Sequence, residues 1–432
     1  MSSEVDADAE GVAEGWWGCD WIAEQSFYLA SHLTTPVCKA RESLHTAWLY
    51  DKLYPSATNL EVALQRANLA MRVIAYSIFG AVTAGPGIAL RRFGNVIQNH
   101  PYIFTLGNAD AKVLPADRTF SVMFWNICGA RAGYNYTDGG LSNLEDRIED
   151  IIDEIIKEDK DVVGLCEMND TTLNARVVER LKKHYRYIYW NVGKKGFGSP
   201  SGLAVFSKYE IKNPEFVRFD NETLAGRTKD HCIKGTFFGE LASEGEIFAR
   251  VGFTHPQHSE EPQFPDEEEL TGRAAQMRTL FNHAVHKVEQ LPTLIMGDFN
   301  CDDEEFDKYD YWFEKFETQR EWVKDGVKQY TWLGDQLCVE YVNWQPITKM
   351  AHTLFNWIAP TFNWEEKKII PKRVSEPCNL DRALWNKLLK KVDYKLGKEK
   401  FDRTKFSRVG AKGVFSDHRR LIFTGRANVA GG

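Results

Sequence analysis

The stretch LEDRIEDIIDEIIKEDKDVVGLCE, residues 144–167, decides the fold class. Its first part returns Leu and Ile at three- and four-residue steps between charged residues, the period of a helix with one buried stripe. The charges then stop, and DVVGLCE (161–167) reads as a short buried strand ending on a carboxylate. The same order recurs where TGRAAQMRTLFNHAVHKVEQL (271–291) passes through Pro292 into TLIMGDFN (293–300). Helices that precede strands ending in acids predict an α/β layered fold, with two sheets covered by helices.

Working outward, other strand-like runs also end on polar residues. Asn126 closes SVMFWN, Glu167 closes DVVGLCE, and His255 closes RVGFTH. Asp298 and Asn300 stand in GDFN, Asp381 in NLDRALW, and Asp417 with His418 in FSDH. Each sits where a buried strand would leave its sheet, so a fold that gathers those ends brings the whole set into one cleft. Asn126 and Glu167 offer hard oxygen ligands of the kind magnesium takes. Asp298 and Asn300 are two residues apart, so on an extended segment they share a side. His255 and His418 can move protons near neutral pH, with Asp381 and Asp417 available to orient an imidazole. His231, His258, His283 and His286 are read as ordinary core or surface histidines.

A chain of 432 residues, 43% of them apolar, can hold two or three domains or one large catalytic domain with an appendage. Its net charge of −7 leaves no overall basic footprint for nucleic acid, although Lys182-Lys183, Lys194-Lys195 and Arg419-Arg420 could line a local groove. The eight cysteines form no CxxC pair and no dense framework, so they are read as reduced thiols. Residues 1–15 are acidic, with neither the basic nor the apolar region of a standard secretory signal, and are expected to be a disordered lead. Residues 16–117 read as a helical N-terminal region with no catalytic spacing, broken at Thr34-Thr35-Pro36 and Pro55, with a connector over 94–117. Within it, VIAYSIFGAVTAGPGIAL (73–90) carries no charge between Arg72 and Arg91-Arg92. Two readings stand for that run: a buried helical hairpin broken at Gly85-Pro86, or a membrane-inserted or re-entrant anchor with snorkelling arginines. Residues 118–426 carry the α/β texture.

The stretches WNICG, DVVGLCEMN, SGLAVFSKYEI, VGFTHPQHS, a helix with Arg273 and Gln276, LIMGDFN, LDRALW and FSDHRRLIF follow one another in an order that resembles the endonuclease/exonuclease/phosphatase superfamily. That superfamily includes DNase I-like nucleases, neutral sphingomyelinases and inositol polyphosphate 5-phosphatases. The resemblance implies a four-layer α/β sandwich of DNase I-like type, two packed mixed sheets flanked by helices. It also implies a divalent cofactor, Mg2+ or Mn2+, and in-line attack of water on a phosphoester. Carried over by position, Glu167 is the main metal ligand with Asn126 beside it and Asp417 near the metal. Asp298 and Asn300 position or deprotonate the water and hold the phosphate. His418, oriented by Asp381, is the acid/base group, and His255, as an imidazolium, stabilises the phosphorane.

Among substrates, SGLAVFSKYEI, the Lys-Gly of IKGTFFGEL and the Arg-x-x-Gln of RAAQMR resemble sphingomyelinases, and the uncharged run at 73–90 suits a substrate in a bilayer. The aromatic insert around HTLFNWIAPTFNW (352–364) would suit a headgroup interface if exposed. The reading is therefore a sphingomyelinase-like lipid phosphodiesterase, membrane-associated or cytoplasmic, with a phosphoester substrate and membrane contact through 73–90. A 5-phosphatase-like enzyme is second: PCNLDRALW resembles that family's segment, but Leu380 replaces its usual Cys and GDFN lacks the Tyr/Phe-Arg that follows. A nuclease comes next, since Cys166-Glu167-Met168-Asn169 departs from the abasic-endonuclease pattern. A non-catalytic scaffold on the same fold would predict a damaged polar set, and here every position retains a competent residue.

Overall fold

The computed structural model describes residues 17–53, 57–129, 144–169, 171–193, 200–224, 233–258, 265–288, 290–309, 315–319, 322–324, 327–329, 380–396 and 418–427. The acidic lead, the aromatic insert and Asp417 lie outside these residues.

Among the described residues two helices come first, α1 (Trp17–Leu53) and α2 (Asn59–Ile97), and they pack against each other along their lengths. Both run through their prolines, Pro36 and Pro86, where the sequence predicts a break. Near Pro36 the Thr35 hydroxyl donates to Ser31 O at 2.8 Å, and the long mutual contact of the two helices offsets the ladder bonds the prolines cannot make. Thr58 caps α2 reciprocally with Glu61, its amide donating to Glu61 Oε2 at 2.8 Å and its hydroxyl accepting from Glu61 N at 3.3 Å.

The first sheet holds seven strands, in the spatial order β1 (Ile103–Leu106), β4 (Tyr187–Trp190), β5 (Ala204–Ser207), β3 (Val162–Cys166), β2 (Thr119–Asn126), β15 (Leu421–Ala427) and β14 (Leu389–Leu396). The second holds six: β10 (Phe316–Thr318), β13 (Asp381–Asn386), β9 (Thr293–Asp298), β8 (Glu246–His255), β7 (Gly235–Ser243) and β6 (Glu210–Arg218). A small hairpin, β11 (Trp322–Lys324) with β12 (Val327–Gln329), stands apart. Each large sheet is mixed: β2 runs parallel to β3, and β8 parallel to β9. The span read as a connector contains β1, which pairs with β4 and so belongs to the first sheet.

Layering follows from side-chain parity. On β2, Val122 and Phe124 enter the core between the sheets, while Met123 and Trp125 enter the core under α3 (Leu144–Glu158) and α4 (Thr171–Leu181). On β9, Leu294 and Met296 face the intersheet core, and Ile295 faces α5 (Glu267–Val288) with Met277, Leu280 and Phe281. The result is helix, sheet, sheet, helix. Gly164 on β3 sets the approach of the two sheets, because a Cβ there would lie 2.1 Å from the Phe253 ring of β8. α5 begins on a capping pair, with Glu269 N donating to Asp266 Oδ1 at 2.8 Å.

Candidate active site

Strand direction places the polar residues. In the first sheet Asn126 and Cys166 are register partners at the ends of parallel strands, so Asn126 and Glu167 leave the sheet side by side. In the second, Asp298 at the end of β9 pairs with Asp381 at the start of antiparallel β13, and His255 ends β8 alongside. His418 precedes β15, whose pairing of Leu421 with Phe124 puts it level with the end of β2. Trp125 Nε1 holds it there, donating to His418 O at 3.1 Å.

Asn126 ties the two sheets together. Its Nδ2 donates to Glu167 Oε1 at 2.8 Å and to Asp298 Oδ2 at 2.9 Å, while its Oδ1 accepts the Cys128 amide at 2.9 Å. Asn126 therefore presents its amide N–H groups, rather than its oxygen, to the carboxylates. Asp298 Oδ2 is the hub: His255 Nε2 and His418 Nε2 each lie 3.8 Å from it. His255 Nε2 is also 3.9 Å from Glu167 Oε1. His418 Nδ1 is 2.7 Å from Asp381 Oδ2, so an Nδ1–H donates to the buried carboxylate and Nε2 faces Asp298. Asn300 N donates to Asp298 Oδ1 at 3.0 Å, and Asn300 Nδ2 donates to Pro256 O at 3.1 Å.

Two site residues hold left-handed backbone without being glycine, Glu167 at φ 60° and Asn300 at φ 54°. Both turn the chain immediately beyond a strand end. Gly202, at φ 77°, packs over the first of these turns, where a Cβ would meet Asn169 Oδ1 at 2.7 Å.

Seven of the eight residues singled out in the sequence thus meet around Asp298. The eighth, Asp417, lies outside the described residues. Lys234 was missed as a site residue: it is buried, with Nζ 3.1 Å from His255 Nδ1 and 3.3 Å from Nε2. The Lys-Gly pair was visible in the sequence, but only the β7–β8 register, which pairs Gly235 with His255, brings the lysine to the imidazole. Burial, followed by the charges of Lys234, His258 and His418, pushes the His255 imidazole well below its ordinary range. The imidazolium expected at His255 is accordingly disfavoured, and the charge beside it is the lysine's.

The donor set fits a divalent cation. Ligand atoms of Asp298, Asp381 and His418 lie within 4.8 Å of one another, as do those of Cys166, His255 and Asp298. Burial holds the Cys166 thiol well above its ordinary range, so the second group offers a neutral thiol where a hard cation needs oxygen. Burial also pushes Asp298 up to about 6, against the nearby His418, which acts to lower it. A cation seated there would compete with a proton for that carboxylate. Cation affinity is expected to weaken about tenfold per pH unit below about 6 and to level off above about 7. Calorimetric titration with Mn2+ across pH 5–8 measures this, and a flat profile would remove Asp298 from the cation seat.

The sequence profile described as the Endonuclease/Exonuclease/phosphatase family matches residues 123–418. No curated protein sequence matches the chain. Among solved structures, truncated Caenorhabditis elegans TDP2 is similar at 18% identity with a TM-score of 0.46, covering 72% of this chain and 98% of that one. Staphylococcus aureus beta toxin 275-280 is similar at 17% identity and a TM-score of 0.46, covering 70% and 99%. Sphingomyelinase C from Streptomyces griseocarneus is similar at 18% identity and a TM-score of 0.44, covering 72% and 99%.

Proposed function

The chain belongs to the endonuclease/exonuclease/phosphatase family, and from that premise we propose that it is a metal-dependent phosphodiesterase of sphingomyelinase-like type, cleaving the phosphodiester of a membrane lipid by in-line attack of water. The observation that carries the phosphoesterase reading is the convergence of Glu167, His255 and His418 on the buried Asp298. Lys234 on His255 supports the lipid reading, because it is the lysine of the Lys-Gly segment in which the chain resembles sphingomyelinases.

Glu167, with Asn126 beside it and Asp298 on the same Asn126 amide group, would hold a Mg2+ or Mn2+ ion, which would supply charge neutralisation to the phosphoryl oxygens. The chain's own residues do the rest. Asp298, held by the Asn126 and Asn300 N–H groups, orients the water for attack on phosphorus. His418, its Nδ1 fixed on Asp381, exchanges the proton at Nε2. His255 as a neutral imidazole donates a hydrogen bond to the phosphorane, and Lys234 brings positive charge to the same side.

The test is a side-by-side assay of the full chain on sphingomyelin vesicles, phosphoinositide vesicles and abasic or plasmid DNA, with Mg2+ and with chelator. Cation-dependent release of phosphocholine from sphingomyelin is the expected result. Preference for phosphoinositide or DNA would replace the lipid-diesterase assignment within the same chemistry. Turnover undiminished by chelator would overturn the chemistry itself.

A further inference from the structure

The α1–α2 hairpin has two unlike faces. Toward α1, α2 presents Gly80, Gly87 and Gly94 at seven-residue spacing. A Cβ at these positions would come within 2.7 Å of Val37 Cγ2, 2.7 Å of Thr34 Cγ2 and 2.8 Å of the Phe27 ring, so the glycines permit a close seam. Away from α1, Leu60, Leu64, Met71, Ile74, Ile78 and Val82 recur at steps of three, four and seven, the period of a single ridge. Their exposures run from 55% at Ile74 to 73% at Val82. A hairpin designed for water carries polar residues there. The core of a soluble protein does not explain the ridge either, because only 11% of the helix's most apolar window is buried.

The charges indicate what covers it. Glu61 is the only acid in α2, against Arg66, Arg72, Arg91 and Arg92, in a chain whose net charge is −7. Arg72 and Arg91 bound the uncharged run 73–90, so positive charge stands at both ends of the most apolar stretch, where long side chains can reach headgroups. We propose that the outer face of α2 binds an anionic lipid bilayer, with the ridge among the acyl chains and the arginines at headgroup level. The helix is continuous from Asn59 to Ile97, so the ridge from Leu60 to Val82 enters as one element rather than as a re-entrant loop. This reading stands independently of the catalytic one.

The experiment is co-sedimentation of the full chain with phosphatidylcholine vesicles, with and without phosphatidylserine. Binding that rises with phosphatidylserine is expected. Ile78→Glu with Val82→Glu should weaken it at least about tenfold, since both side chains are exposed and their loss removes buried apolar area only in the bound state. Leu64→Glu with Met71→Glu should act likewise, as a second pair on the same ridge. Arg91→Gln with Arg92→Gln should lose roughly fivefold per charge on anionic vesicles alone. Circular dichroism and the thermal midpoint in buffer confirm that each variant folds. No binding by the wild type to either vesicle overturns the proposal, as does equal binding by a folded ridge variant. A dimer in buffer that the glutamates dissolve, without vesicle binding, assigns the ridge to a second copy and also overturns it.

Discussion

His418→Ala is expected to lower turnover roughly 10²–10⁴-fold while leaving the protein folded. The imidazole is 4% exposed, sits on Asp381 through Nδ1 at 2.7 Å and turns Nε2 toward Asp298 at 3.8 Å, so its removal deletes the carboxylate-oriented imidazole placed to exchange a proton beside the hub. In the proposed mechanism Asp381 acts by orienting that imidazole. Asp381→Asn should therefore cost much of the same factor alone and add almost nothing to His418→Ala, because the two behave as a unit. A steady-state assay of the two single variants and the double variant measures this, with melting curves as the fold control. Additive losses would mean that Asp381 acts on substrate or cation directly, and undiminished turnover in His418→Ala would remove the acid/base role.

The second large effect concerns stability rather than chemistry. Glu305→Ala is expected to destabilise the protein by about 3–5 kcal/mol, the cost of leaving a buried charge without its partner. Arg273 on α5 is fully buried and grips Glu305 twice, Nε to Oε1 at 2.7 Å and the terminal nitrogen to Oε2 at 2.6 Å. Glu305 belongs to α6 (Asp303–Asp307), three residues beyond Asp302, which caps that helix and follows Asn300 by two residues. Gln276, one turn along α5 from Arg273, accepts the Gln257 amide at 2.8 Å. The two side chains thus brace the segment after His255 and the segment after Asn300. The midpoint should fall by about 6–10 °C, at ~2 °C per kcal/mol for a domain of this size. Glu304→Ala, at a neighbouring side chain 87% exposed, should change it little. Equal midpoints for the two variants would show that the buried pair does not hold the frame.

How much of this was readable in advance differs from residue to residue. Asp298 and Asn300 were legible as a pair, because a two-residue spacing at a strand end puts them on one side whatever the rest of the chain does. The two-sided burial of β2, β3 and β9 was legible as well, since unbroken apolar runs admit few other fates in a water-soluble sheet. In the sequence Lys234 is only half of a Lys-Gly dipeptide; its meaning depends on β7 pairing with β8 so that Gly235 meets His255. β1 went unread because IFTL is four residues long and becomes a strand only by pairing with β4, more than eighty residues away. The prolines of α1 and α2 read as breaks by a rule that holds for an isolated helix and fails where a second helix is packed along the first.

The layered α/β class, the polar strand ends and the family are legible in the amino-acid order, because period, turn chemistry and donor type are each written over short stretches of chain. Only the tertiary structure decided that Asn126 offers its N–H groups to both carboxylates, that His255 shares a buried site with Lys234, and that α2 turns an apolar ridge outward. Those features arise from register and helix rotation, which join residues tens to hundreds of positions apart, and a local pattern carries no record of which distant partner it will meet.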